Sequence, residues 1–371
     1  MKIAYLGIKG LPSKGGAERV VEAIAVRAAN AGHPITVYCS KNYTPPETKI
    51  DKIQLIRIPT LKGKYLHMLS MNILSALHAL VYGDYDLIHL HNVESSFILP
   101  VIRLRYPVLT TSHGPAYLRE KWGTISRILI KAMEIPFSYF SNLCTSVSFT
   151  WADYYLQTYG KRVQFIPNGV DCQEFKTSGF INKQNGYISF AAGRILPSKG
   201  CHILLNALRI ANIDVPTIII GDFEQMPNYS QLLKKSAPEK VKFIPFISDK
   251  KELFQILGKS KFFIFPSTTE AMSMMLLEMA ALGIPIIASD IPENLETIPR
   301  DCAVFFKSGN DKDLAEKLIW ALTNEEKMNK IATRAQSWVT EHRNWDTIVQ
   351  HYLEYYQRVI KRHNFHENNK N

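Results

Sequence analysis

Residues 262–290, FFIFPSTTEAMSMMLLEMAALGIPIIASD, decide the fold. The apolar run 262–265 has the length of a strand, and Pro266, Ser267, Thr268 and Thr269 break it. Met275, Leu276, Met279 and Leu282 then recur at three- and four-residue spacings, the period of a helix with one apolar face. Gly283 is placed to end that helix, since glycine takes the left-handed conformation without a Cβ penalty. Residues 284–288 are a second buried-strand run. Strand, loop, helix, strand is the unit that builds a parallel sheet. Two carboxylates lie inside it. Glu270 falls in the loop at the C-terminal end of the first strand, where open parallel sheets bind their ligands. The amides of Met272, Ser273 and Met274 are expected to form an open helix N-terminus that suits a phosphate. Glu278 is expected about two turns into the helix, among Leu276, Leu277, Met279 and Ala280. A carboxylate in an apolar segment needs a partner, so Glu278 reads either as a salt-bridged helix glutamate or as a ligand-holding group.

Similar units extend on both sides. Strand runs recur at 2–7, 35–40, 53–59, 86–92, 108–113 and 142–148, with helical patterns between most of them. This alternation is the signature of a parallel α/β sheet. Further strands are expected at 187–193, 217–222, 241–246, 262–266, 284–289 and 303–306, so the second half repeats the layout of the first. Between the halves, residues 163–175 carry the turn residues Pro167, Asn168 and Gly169 and read as a domain connection. Residues 311–361 are helical throughout, with Trp338, Trp345, Tyr352, Tyr355 and Tyr356 spaced as packing anchors. The polar tail 363–371 is expected to fray.

The first strand leads into a glycine-rich loop, but Gly7, Gly10, Gly15 and Gly16 do not make Gly-x-Gly-x-x-Gly, and the loop is too long for a dinucleotide turn. Gly15 and Gly16 instead sit at a helix start, where bare amides can approach a phosphate or acceptor; a plain loop reads equally well. The strand at 108–113 ends in Ser112-His113-Gly114, which points His113 into the same crevice. The strand at 187–193 ends in 193–200, GRILPSKG, with Arg194 and Lys199 five residues apart. Arginine supplies a fork of donors and lysine a point charge, the usual grip on a diphosphate.

Composition narrows the function classes. The chain has 371 residues, enough for two domains, with 46% hydrophobic and 21% charged residues, as in a soluble globular enzyme. Cys39, Cys144, Cys172, Cys201 and Cys302 are scattered without Cys-x-x-Cys, which argues for a reducing compartment and against structural zinc or a disulfide framework. His89 and His91 alternate on one strand without a third ligand and read as structural. Lys2 leads directly into an apolar run too short for a secretory signal, so a cytoplasmic location is expected. Of the net charge of +11, residues 1–180 hold +8, which suggests an anionic partner for that half. No nucleic-acid-binding signature accompanies the charge. Residues 66–83 contain no Lys, Arg, Asp or Glu, yet Ser, Asn and two His interrupt them, so they make a poor spanning helix. Basic residues surround them in sequence: Lys49, Lys52, Arg57, Lys62 and Lys64 before, and Arg103, Arg105, Arg119, Lys121, Arg127 and Lys131 after. An interfacial helix on an anionic membrane, at the inner face of the plasma membrane, is one reading. An ordinary helix packed on the sheet is the other.

Glu270-x7-Glu278 with Met279-Ala280 and Gly283-x-Pro285-x3-Ser289, the Gly193-Arg194-x4-Lys199-Gly200 loop and the Asn168-Gly169-Val170-Asp171 string together resemble the family 4 type retaining glycosyltransferases of the GT-B fold. The resemblance covers nearly the whole chain. It implies two Rossmann-like domains with parallel sheets facing an interdomain cleft. Residues 1–168 would be the acceptor side, completed by a C-terminal helix at about 345–363, and residues 169–344 would bind the nucleotide sugar. It implies that Arg194 and Lys199 clamp the donor diphosphate, that Glu270 contacts the sugar hydroxyls with Ala271, Met272, Ser273 and Met274 beside it, and that Glu278 holds the ribose diol. His113 would contact the transferred sugar, Gly15 and Gly16 would line the cleft, Asn168 would belong to the linker, and Phe246 and Ile247 would seat the nucleobase. The expected reaction moves a hexosyl group from a UDP- or GDP-sugar to a lipid-linked or polysaccharide acceptor, with retention and no metal or other cofactor. A sugar-nucleotide epimerase and a non-catalytic binding protein of the same fold are the alternatives. One departure stands out: the family often has glycine after the first glutamate and small residues next, where this chain has Ala271, Met272, Ser273 and Met274.

Overall fold

The computed structural model describes residues 1–13, 15–118, 122–171 and 186–368. Arg119 and Lys121 of the basic set, Cys172, and all but the last residue of the polar insert 177–186 lie outside these. The chain forms two compact units: Met1–Asn168 with Trp345–Asn371, and Gly169–Asn344.

The first unit is built on a seven-stranded parallel sheet, β1 (Ile3–Leu6), β2 (Ile35–Ser40), β3 (Ile53–Ile58), β4 (Leu87–His91), β5 (Val108–Ser112), β6 (Leu143–Ser146) and β7 (Gln164–Phe165), in the order β3-β2-β1-β4-β5-β6-β7. Helices α1 (Gly16–Asn30), α2 (Lys64–Tyr82), α3 (Leu99–Ile102), α4 (Thr124–Ala132), α5 (Glu134–Phe140) and α6 (Phe149–Tyr159) connect the strands. The two-residue edge strand β7 falls where the sequence suggested only a connection; so short a run carries no periodicity to read.

The second unit carries a six-stranded parallel sheet in the order β10-β9-β8-β11-β12-β13. Its elements are β8 (Tyr187–Ala192), α7 (Cys201–Ile210), β9 (Thr217–Gly221), α8 (Pro227–Ser236), β10 (Val241–Pro245), α9 (Lys250–Leu257), β11 (Ser260–Phe265), α10 (Met274–Ala281), β12 (Ile286–Ser289), α11 (Pro292–Thr297), β13 (Val304–Phe306), α12 (Asp311–Thr323) and α13 (Glu325–His342). The continuous apolar runs of its strands have a plain cause. Phe262 and Ile264 of β11 and Ile287 of β12 face the core under α7 and α12. Phe263, Phe265, Ile286 and Ala288 face the opposite core, under α10 and α13. Alternate side chains point to opposite faces, and here both faces are covered, so consecutive positions in the middle of these strands are apolar. Gly283 (φ +67°) stops α10, with its amide donating to Ala280 O at 2.9 Å and that of Ile284 to Met279 O at 3.1 Å.

The last helix, α14 (Trp345–Asn368), belongs to the first unit. Trp345, Tyr352 and Tyr356 are 2%, 1% and 0% exposed. Fully burying a large apolar side chain contributes about 1.5–3 kcal/mol, so these three anchors hold the helix firmly to the first unit. The helix runs on through Asn368, well past the point at which the tail was expected to fray. Cys39, Cys144, Cys201 and Cys302 are buried free thiols, and burial pushes Cys144 up to about 11 and Cys201 to about 12, which keeps both inert.

Candidate active site

In each sheet the strand order reverses once, and the crevice beyond the strand ends at that point is where doubly wound sheets bind ligands. In the second unit the reversal lies between β8 and β11. The loop leaving β8 is 193–200 and the loop leaving β11 is 266–273. The two highlighted sequence motifs therefore leave adjacent strands on either side of the switch point.

Three contacts lock the loops together. The Thr268 amide donates to Ser198 O at 2.8 Å. Gly200 (φ +72°) comes so close to Pro266 that a Cβ on it would lie 2.0 Å from Pro266 O. Lys199 Nζ donates to Glu270 Oε1 at 2.5 Å, with the two side chains 27% and 10% exposed. Arg194 is exposed in the same loop, behind Ile195, whose amide donates to Asp222 O at 2.9 Å. The loop thus presents one cation to solvent and holds the second against a largely buried carboxylate.

Ser273 is the N-cap of α10, and its Oγ accepts from the Leu276 amide at 3.4 Å. This corrects the expected amide set. Met272 lies before the helix and is buried, and the Leu276 donor is already capped, so the helix offers the amides of Ser273, Met274 and Met275. Ala271 and Met274 are half-buried.

Glu278 is the fifth residue of α10, one turn in rather than two. It is 2% exposed, and Lys250 Nζ lies 3.8 Å from its Oε1. Lys250 opens α9, directly after the segment of Phe246 and Ile247. Phe246 is exposed, whereas Ile247 packs on the core that includes Leu276 and Met279. Glu278 is therefore salt-bridged, and its partner ties α10 to the loop that follows β10.

In the first unit the reversal lies between β1 and β4. Gly7 (φ +85°) ends β1 so close to β4 that a Cβ would meet His91 O at 2.1 Å, and Asn92 Nδ2 donates to Gly7 O at 2.8 Å. Gly15 is the N-cap of α1, and Gly16, its first residue, is exposed with open space where a Cβ would stand. Asn168, at the end of this unit, is buried. His113, just past β5, pairs with His91: Nδ1 of His91 and Nε2 of His113 are 2.9 Å apart. His91 Nε2 is buried with no hydrogen-bond partner among the described residues. A buried orphan N–H is the rarer defect, which assigns the His91 proton to Nδ1, donated to His113, and leaves His113 with its own proton on Nδ1. His89 stands behind them, held between Tyr356 OH at 2.7 Å and Thr111 Oγ1 at 2.6 Å. The sequence alone does not join His113 to the two strand histidines; the structure does, and the placement of His89 and His91 two residues apart on one face of the strand end is the available signal.

Two Asp-x-Asp strings occur, at 84–86 and 311–313. Both are engaged in structure: Asp84 pairs with Lys2 at 2.5 Å, Asp86 accepts from the Lys2 amide, and Asp311 and Asp313 accept from Asn206 and the Lys307 amide. Among the described residues no group of three or more His, Cys, Asp or Glu side chains is arranged to hold a metal ion.

Comparison with known proteins gives two family matches. Residues 14–174 match Glycosyltransferase Family 4 and residues 173–338 match Glycosyl transferases group 1. The chain is 24% identical over 359 residues, 89% of each chain, to the UDP-Gal:alpha-D-GlcNAc-diphosphoundecaprenol alpha-1,3-galactosyltransferase of Escherichia coli. It is 20% identical over 420 residues to the MMP alpha-(1->4)-mannosyltransferase of Mycolicibacterium hassiacum, covering 98% of this chain and 99% of that one. Among solved structures, sucrose-phosphate synthase from Thermosynechococcus elongatus has a TM-score of 0.80 at 19% identity, covering 97% and 99% of the two chains. Anabaena Alr3699/HepE in complex with UDP and glucose has a TM-score of 0.78 at 19% identity, covering 96% and 100%.

Proposed function

The chain belongs to the family 4 type glycosyltransferases of the GT-B fold, and on that premise we propose that it moves a hexosyl group from a UDP- or GDP-sugar, with retention, to a sugar hydroxyl of a lipid-linked or polysaccharide acceptor. The observation that carries this reading is the Lys199–Glu270 contact at the β8/β11 switch point, with Arg194 in the same loop.

Diphosphate is the leaving group. As the bond from the anomeric carbon to the β-phosphate oxygen breaks, negative charge grows on the phosphate. Arg194, Lys199 and the amides at the start of α10 are the donors that meet it, and donors fixed in advance need no reorganisation at that moment. The acceptor oxygen bonds to the same face of the sugar, and its proton passes to the departing phosphate oxygen. In this reading Lys199 has two tasks. It holds Glu270 aimed, so that the carboxylate can accept from the sugar hydroxyls, and it turns its remaining donors to the phosphate. Glu278 accepts from the ribose diol, with Lys250 offsetting its buried charge. His113, oriented by His91, lies on the acceptor side, as do Gly15 and Gly16. These cations supply the charge neutralisation that other transferases obtain from a metal, so transfer is expected to survive chelation.

Resemblance to a relative named for a diphosphoundecaprenol substrate supports a lipid-linked acceptor. A second reading follows from Met272 and Met274, which stand where the family has smaller residues: the site would bind its donor and turn it over slowly or not at all.

The test is a panel of UDP- and GDP-sugars with lipid-linked acceptors, following release of the nucleoside diphosphate and the anomeric configuration of the product by NMR. One donor is expected to react with its configuration kept, and Lys199→Ala is expected to lower kcat about 10²–10³-fold. Inverted product, or full activity in Lys199→Ala, contradicts the reading. Donor binding without product supports the second.

A further inference from the structure

We infer that α2 and the α4–α5 segment form a docking face for an anionic lipid bilayer. The inference deepens the lipid-linked acceptor reading and rests on it only for the purpose of such a face.

Met71, Ala76 and Ala79 bury one side of α2 against the sheet. The other side is Leu66, Leu69, Ile73, Leu77 and Val81, which are 52%, 44%, 39%, 50% and 65% exposed. A surface helix normally carries its charges there, yet after Lys64 this helix has none. A second apolar stripe runs along α4 and α5. Ile125, Ile128, Ile135 and Tyr139 recur at helical spacing and are 77%, 64%, 51% and 63% exposed. The two stripes meet at their N-terminal ends, where the Tyr65 and Trp122 rings are 5.4 Å apart and Ser126 Oγ donates to Tyr65 OH at 3.1 Å. Exposed apolar surface spread over two neighbouring helices marks an interaction site rather than ordinary scatter.

Charge identifies the occupant. Lys62 precedes α2, Arg105 Nη2 donates to Gly83 O at its far end at 2.9 Å, and Arg127 and Lys131 stand exposed on α4. Neither α2 nor α4 contains Asp or Glu. A second copy packed by two-fold symmetry would set these cations against themselves. An anionic lipid surface accepts both the apolar stripes and their cationic border. Among the described residues no helix is long and apolar enough to cross a membrane, so the face would lie on the bilayer rather than enter it as a span.

Co-sedimentation of the full chain with phosphatidylcholine vesicles, with and without phosphatidylglycerol, tests this. The wild type is expected to bind the anionic vesicles and to bind neutral ones roughly tenfold more weakly. Leu69→Glu/Leu77→Glu/Ile128→Glu is expected to lose binding roughly tenfold or more while keeping the wild-type melting temperature and its stabilisation by donor nucleotide. Arg127→Glu, which alters an exposed charge, is expected to weaken the preference for anionic vesicles. Equal binding by wild type and both variants, or no binding by the wild type, overturns the inference. So does a wild-type dimer that the triple variant dissolves without any vesicle binding, which would assign the face to a second copy. Vesicle binding without transfer, or transfer to a soluble acceptor without vesicle binding, separates this inference from the proposed activity.

Discussion

Gly16 and Gly200 both stand at helix starts, under different constraints. Gly200 is glycine for the protein's own sake, with φ at +72° and Pro266 O where a Cβ would go. Gly200→Ala is expected to destabilise the fold by more than about 1 kcal/mol. Gly16 has open space around it and an ordinary helical conformation, so no neighbour among the described residues demands glycine there. If a substrate approaches those amides, Gly16→Ala should leave thermal stability unchanged or raise it by up to about 1 kcal/mol, yet lower kcat/KM at least ~10-fold, a loss of about 1.4 kcal/mol of transition-state binding. Melting curves and steady-state rates on the two variants check both statements; unchanged rates in Gly16→Ala would remove the residue from the site. At this scale residue types were legible. Arg194, Lys199, Glu270 and Glu278 declare themselves by charge in apolar or glycine-rich surroundings. Their partners did not, because Lys199 finds Glu270 across 71 positions and Lys250 reaches Glu278 from a neighbouring helix, and no local pattern encodes such pairing.

Strands were legible for a physical reason, since both faces of each sheet are covered and apolar runs of strand length result. The exceptions are instructive. Strand β7 is too short to carry a period. The Tyr356–His89 contact joins α14 to β4 across 267 positions, and Tyr356 reads from sequence only as a packing anchor. Burial holds both His89 and His91 well below 6.5, with a neighbouring histidine adding to the effect. The unfolded chain then binds protons that the folded chain refuses. Stability from this source is complete above about pH 6.5 and falls below it by about 1.4 kcal/mol per pH unit for each histidine. Denaturation followed from pH 7 to 5 should show that loss, and His89→Gln should make it shallower by one proton. Tyr356→Phe, which strips His89 Nδ1 of its partner, should lower stability by about 1–3 kcal/mol at neutral pH. An acid slope unaffected by His89→Gln would mean that other groups carry it.

At the scale of the whole molecule, two parallel sheets each reverse strand order once, and we propose that the residues with chemistry work beyond those reversals. In the first unit these are the glycine loop and His113 backed by His91; in the second they are Arg194, Lys199, Glu270 and Glu278. Recurrence of strand runs makes the duplicated architecture visible in sequence. Which sugar, base and acceptor fit is set by loop shapes that no residue pattern spells out. In the proposed function, the second unit's groups together grip one nucleoside diphosphate sugar. Calorimetric titration of the full chain with UDP and GDP tests it most directly, on the wild type, Arg194→Ala and Glu278→Gln, with a polynucleotide as control. One nucleotide is expected to bind and the polynucleotide is not, and each substitution is expected to weaken binding about 10-fold or more, as loss of a charge-assisted hydrogen bond should. Nucleotide affinity left intact in both variants would contradict it.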